Sequence, residues 1–390
     1  MATDFVPGFS GTRGGWNFAS ENAQLMSAES RKLVKEHGDQ INRIYELAEQ
    51  YGSPGKWDTF DAQITKEGLK EIDETLGYLG FGTQSASIVT RFSKGADISL
   101  NVLVLPDGDQ ESKADVLLKR LDETTAAGKT IFDNESTAQK YADYLTVSAG
   151  VPWLDRVNQY IKNSGVKIVK SESALPRSII RAEINKKFGR EKTPSIEQQK
   201  NMDMVYSIVS ERMESAWCAL PRDNPNVLFM FPAGHTGNDK DSLQQAGNAD
   251  ADEALPVSCE RRYQNVLSST SVNDDGSLVA SSDYGVSIDI AGVMKQPGFL
   301  PTGKQFMTGG TCAIGNALTG VAAAIWSEHP TYTPSEVKAA ILKMGTPLAS
   351  LKSKVATASY ITRETLSHFD RFEGKALAKS SDTPLTSGTN

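Results

Sequence analysis

Apolar positions along the chain fall into two textures. Over 27–50, Leu33, Ile41, Ile44, Tyr45 and Leu47 recur at helical spacing among charged residues, and Gly52-Ser-Pro-Gly55 then breaks the pattern. A second charged helix is expected near 65–78. Beyond residue 80 the apolar residues gather into continuous runs. Residues 98–105 (ISLNVLVL) and 227–231 (VLFMF) read as strands buried on both faces, as a parallel sheet requires. Shorter strand-like pieces lie at 166–169, 264–271 and 286–291. Helices are expected over 85–92 after a glycine turn, and over 152–163, 197–220, 311–328 and 334–344, the last with Pro334 in its first turn. Strands alternating with helices predict βαβ units, hence an α/β fold with three α/β/α layers and a mostly parallel central sheet. The first thirty residues, rich in glycine and aromatics without periodicity, are expected to form an irregular surface arm. Residues 383–390 are expected to fray. No period of 20–50 residues recurs, which argues against a solenoid.

Composition narrows the function classes. At 390 residues the chain is long enough for a large core without staples, and it divides into 1–79, an arm and charged helical insertion, 80–350, a core domain, and 351–390, a C-terminal extension. A net charge of −7 argues against a nucleic-acid binder, which needs a basic surface. The apolar stretches near 226–233 and 317–326 are too short for a membrane span. Met1-Ala-Thr-Asp lacks the basic start of a signal peptide, so none is expected on this chain. Three cysteines, Cys218, Cys259 and Cys312, allow one pair and leave one over, which is no disulfide framework.

Several segments, in order, resemble the subtilisin-like serine proteases, the subtilases. Phe81-Gly-Thr-Gln-Ser-Ala86 is similar to the family's His-Gly-Thr-His-Val-Ala helix start, and Gly95-Ala-Asp97 with 98–105 to the strand that follows. Ser164-Gly-Val-Lys-Ile-Val-Lys-Ser171 resembles the strand at the substrate edge. Residues 226–239 (NVLFMFPAGHTGND) resemble the strand and glycine turn that present the oxyanion asparagine. Residues 265–272 and 281–285 look like two further family segments. Thr308-Gly-Gly-Thr-Cys-Ala313 resembles the nucleophile at a helix N-terminus. Gly15-Trp-Asn-Phe18 is similar to an element of one bacterial branch. The resemblance covers about 1–350. It implies a subtilisin-like fold and a cleft around Gly234, Gly310, Thr311 and Ser171 for a peptide or protein segment, with export to a periplasmic or extracellular space.

The family's chemistry needs a nucleophile, an imidazole base, a carboxylate that orients it and an oxyanion donor. Each position departs here. Phe81 stands at the histidine position, Cys312 at the nucleophile position and His235 at the oxyanion position, and Asp4 is the sole acid before Gly15. This pattern is expected of a degenerate active site, a pseudoprotease with a binding or structural role. The rival is an active endopeptidase. It would use Cys312 as a thiolate lowered by the helix N-terminus with His235 as its partner, or be completed by a missing N-terminal segment carrying the aspartate. The plain alternatives are a small buried hydrophobe for Cys312 and a turn residue for His235. His37, His329 and His368 read as solvated side chains, and Gly292 and Gly298 as loop glycines. No cofactor is expected. Asn238 to Asp241 and Asn248 to Glu253 offer oxygen ligands of the kind calcium takes, without EF-hand spacing.

Overall fold

The architecture is set by which way successive residues of the buried strands point. Along Leu228–Pro232, Leu228 and Met230 pack into one hydrophobic cluster while Phe229 and Phe231 pack into another, the two-residue alternation of an extended chain. All five residues are buried, so the strand lies between two layers. In the computed structural model the residues described are 12–17, 28–51, 57–104, 119, 121, 129–172, 177–189, 192–235, 247–251 and 254–372.

Strands are numbered β1 (Thr12–Asn17), β2 (Leu100–Val104), β3 (Ile168–Lys170), β4 (Leu228–Pro232), β5 (Val266–Val272), β6 (Ile290–Val293), β7 (Gln296–Phe299), β8 (Gln305–Thr308), β9 (Thr346–Pro347) and β10 (Ser359–Ile361). The main sheet has six strands in the order β3-β4-β5-β6-β10-β9; only the β10–β9 pair is antiparallel. Helices are α1 (Ala28–Glu36), α2 (Gly38–Tyr51), α3 (Trp57–Lys66), α4 (Lys70–Arg91), α5 (Glu135–Ser148), α6 (Val151–Ser164), α7 (Arg177–Phe188), α8 (Ile196–Asp223), α9 (Thr311–Glu328), α10 (Pro334–Lys343) and α11 (Arg363–Ser367). On one face of the sheet α5 to α8 bury Phe229, Phe231 and Val266. On the other, α9, α10 and the end of α4 bury Leu228, Met230 and Leu267. The expected three-layer α/β/α class with a mostly parallel sheet is what forms.

Local signals start several of these helices where the sequence places them. Thr333 and Glu336 form a capping box ahead of α10, with Pro334 at its first position, and Ser195 with Gln198 does the same for α8. The long α9 survives on close packing. A β-carbon added at Gly320 would sit 2.4 Å from the Val89 carbonyl oxygen, so glycine lets α9 approach α4.

Four expectations are corrected. Thr12–Asn17 is a strand, not an irregular arm, because its backbone pairs in parallel with β2. The helix expected at 65–78 is cut at Gly68, whose φ of +68° ends α3. No glycine turn precedes residue 85. Gly80 and Gly82 lie inside the 22-residue α4, since interior glycines cost only about 1 kcal/mol each and residues 82–93 are all buried. Gly292 and Gly298, read as loop glycines, sit in β6 and β7; at Gly292 a β-carbon would fall 2.4 Å from Ile314. Phe81 lies in α4, but its side chain is outside the described residues, as are 238–241 and 383–390.

Hairpin β7–β8 joins this core to the N-terminal helices. The Phe299 amide donates to Ser87 Oγ at 2.8 Å, and Tyr45 meets Phe306 edge-on at 5.4 Å. Cys218 on α8 is bonded to Cys259 across 41 residues, leaving Cys312 as the free thiol. Among the described residues no helix is long and apolar enough to cross a membrane.

Candidate functional site

The site forms where the C-terminal ends of β3 and β4 meet the N-terminus of α9. Gly310 caps α9 at φ +100°, and a β-carbon there would stand 2.8 Å from His235 Cε1. Glycine is therefore required for two reasons, backbone conformation and the close approach of an imidazole. His235 follows Ala233 and Gly234 at the end of β4. Its Nε2 pairs with the Thr311 hydroxyl at 3.1 Å, and its Nδ1 is buried without a partner among the described residues. Gly234 has φ +114°, and its carbonyl accepts from the Asp283 amide.

Cys312 occupies the second position of α9 and is 8 % exposed. Its Sγ donates to the Glu172 carbonyl oxygen at 3.6 Å, not to His235. Burial, then the nearby Glu172 carboxylate, push the thiol up to about 12, against a smaller opposing pull from Lys170. Burial likewise holds His235 below the usual imidazole range. A helix N-terminus ordinarily favours a thiolate. Here desolvation outweighs it, and both members of the pair are held neutral at pH 7.

Lys170 and Glu172 were not singled out from the sequence. Lys170 Nζ pairs with the Glu172 carboxylate at 2.8 Å and also donates to the Ser171 carbonyl, while its side chain is only 9 % exposed. The Ser171 amide is engaged with Met230 O at 3.1 Å. The available signal is the two-residue spacing of Lys170 and Glu172, which puts both on one face of an extended segment that follows the apolar Ile168 and Val169. The structure thus brings Gly234, His235, Gly310, Thr311, Cys312 and Ser171 to one end of the sheet. Gln84, one turn after Phe81 on α4, accepts from Thr308 Oγ1 and ties that helix to the loop before Gly310.

Chemically, Cys312 lies near an imidazole that is not placed to act as its base. A triad imidazole must accept from the nucleophile while a carboxylate orients its other nitrogen. Here Nε2 is turned to Thr311, and no described carboxylate bonds Nδ1.

Among the described residues no group of three or more His, Cys, Asp or Glu is placed to hold a metal. At the calcium candidate, Asp250 is already occupied by the Val286 and Ser287 amides and by Arg261, and Asn248 Oδ1 caps the Asp250 and Ala251 amides. Asp252 and Glu253, like 238–241, lie outside the described residues.

No family model matches the sequence, and no curated protein does. Among solved structures the chain is similar to the A subunit of the AB5 toxin from E. coli, at 16 % identity and a TM-score of 0.37, over 56 % of this chain and 66 % of that one. A cold-adapted subtilisin-like serine proteinase aligns at 14 % identity and 0.39, over 73 % and 74 %. A structure of subtilase cytotoxin SubAB aligns at 20 % and 0.30, over 42 % and 53 %.

Proposed function

We propose that this chain is a noncatalytic protein with a subtilisin-like site, a pseudoprotease that binds an extended segment of a protein partner. The ordered set of motifs from Phe81 to Ala313 supports the family reading. One observation carries the loss of activity. The thiol at the nucleophile position is buried and held protonated, and the only imidazole beside it among the described residues is spent on Thr311. Members of a catalytic triad act as a unit, so loss of the base costs several orders of magnitude in rate. The Cys218–Cys259 bond supports an oxidising compartment, periplasmic or extracellular, because such bonds are rare where thiols are kept reduced.

The test is hydrolysis of casein and of peptide esters by the purified chain. The expected result is no turnover above an enzyme-free control. Turnover that disappears in Cys312→Ala would overturn the proposal in favour of a Cys312–His235 peptidase.

A further inference from the structure

Among the described residues two strands with parallel partners, β2 and β3, are paired on a single side, and a cavity lies between β3 and the segment that enters β2 at Leu100. Among the described residues β2 pairs only with β1, and β3 only with β4. Between them lies a cavity of about 510 Å³, walled on one side by 96–100 and on the other by 164–168, Lys170 and Glu172. Helices α4 and α9 close its back with Ala86, Val89 and Ala323.

Backbone direction shows what the β3 edge offers. The Lys167 carbonyl accepts from the Leu228 amide at 2.9 Å, and the Ser171 amide donates to Met230 O at 3.1 Å. In a parallel ladder bonding alternates along the strand, so Ile168 and Lys170 turn their amides and carbonyls the other way. Those two residues line the cavity.

Two buried polar side chains of α9 point to the same occupant. Asn316, 2 % exposed, has an unpartnered Oδ1 acceptor, and Trp326, 8 % exposed, an unpartnered indole N–H donor; both line the cavity. They are ten residues apart on one helix, about 15 Å at 1.5 Å per residue. An extended chain covers that span in about five residues. A peptide backbone supplies both a donor for Asn316 and an acceptor for Trp326, in place of the water such groups hold otherwise. Charge on the walls is balanced, with Lys167 and Lys170 against Asp97 and Glu172, which favours an uncharged insert. The alanine and valine back wall favours small apolar side chains.

We infer that the gap between β2 and β3 is a strand-binding slot. It takes about five extended residues of a partner chain, uncharged and rich in Val, Ala or Thr, which join the sheets by strand addition. The inference deepens the reading as a binding protein and rests on it.

A random dodecapeptide display library panned on the full chain tests it. Enriched peptides should slow amide exchange at Ile168 and Lys170 at least tenfold while leaving Val169 unchanged. Their affinity should fall at least tenfold in Ala323→Phe, which fills the slot. Asn316→Ala, a smaller change, should weaken binding in the same direction should the larger variant fold poorly. No enrichment, or enriched peptides that leave Ile168 and Lys170 exchange unchanged, would overturn the slot. Casein turnover by the same sample would instead overturn the noncatalytic reading and leave the slot standing.

Discussion

Iodoacetamide labelling of Cys312 puts the central electrostatic argument to a rate measurement. Only a thiolate attacks the reagent. An ordinary thiol of pKa about 8.5 is about one quarter ionised at pH 8. With burial and Glu172 pushing Cys312 up to about 12, about one molecule in ten thousand carries the thiolate at that pH. The native protein should therefore react about two thousandfold more slowly than the same chain in guanidinium chloride, before any steric shielding is counted. Mass spectrometry reads the outcome cleanly, because Cys218 and Cys259 are bonded and one site can be modified. The same shift sets a pH trend in stability. A group whose folded pKa lies above its unfolded value stabilises fully below the unfolded value and loses that contribution as pH rises. Stability should thus fall by about 1.4 kcal/mol per pH unit above about pH 9, a slope that Cys312→Ala removes. A native rate within tenfold of the denatured one would refute the reasoning. So would a rate constant across pH 6–8 that is abolished in His235→Ala.

Three further outcomes follow from the core. Lys338 pairs with Asp289 at 2.7 Å and Glu260 at 2.9 Å beneath the sheet; Lys338→Met should cost about 3–5 kcal/mol in urea unfolding by stranding those carboxylates, and a loss under 1 kcal/mol would contradict that role. Replacing both Cys218 and Cys259 by alanine opens a 41-residue loop and should lower unfolding free energy by about 4 kcal/mol on the chain-entropy estimate, visible as a reduced midpoint in guanidinium chloride. Gly320→Ala forces a methyl against the Val89 carbonyl and should cost about 1–3 kcal/mol by overpacking; a thermal midpoint equal to that of the parent would show that α9 and α4 separate freely.

The candidate site was partly legible before any coordinates. Gly310 to Cys312 and Gly234-His235 stand out in the sequence through their resemblance to the nucleophile and oxyanion segments of the subtilases. What Cys312 does there was not legible. A helix N-terminus and an imidazole argue for a thiolate, burial argues against it, and only the packing around Sγ says which wins. Lys170 and Glu172 are not legible in the sequence, because charged residues at and just beyond the end of a short strand read as solvent-facing until the partner that covers them is placed.

Element class came from local chemistry. The apolar runs at 98–105 and 227–231, the Thr333-Pro334 start and the small-residue pattern of 311–328 each specify a strand or a helix through neighbours close in sequence. Contacts across long separations decided the rest. Thr12–Asn17 carries no strand signal and becomes one only because β2, more than eighty residues later, offers its edge. Gly292 and Gly298 look like turn residues until Ile314 and Ser87 occupy the space that a side chain would need. The slot between β2 and β3 is likewise invisible in the sequence, since an unpaired edge belongs to the arrangement of strands and to no residue within them.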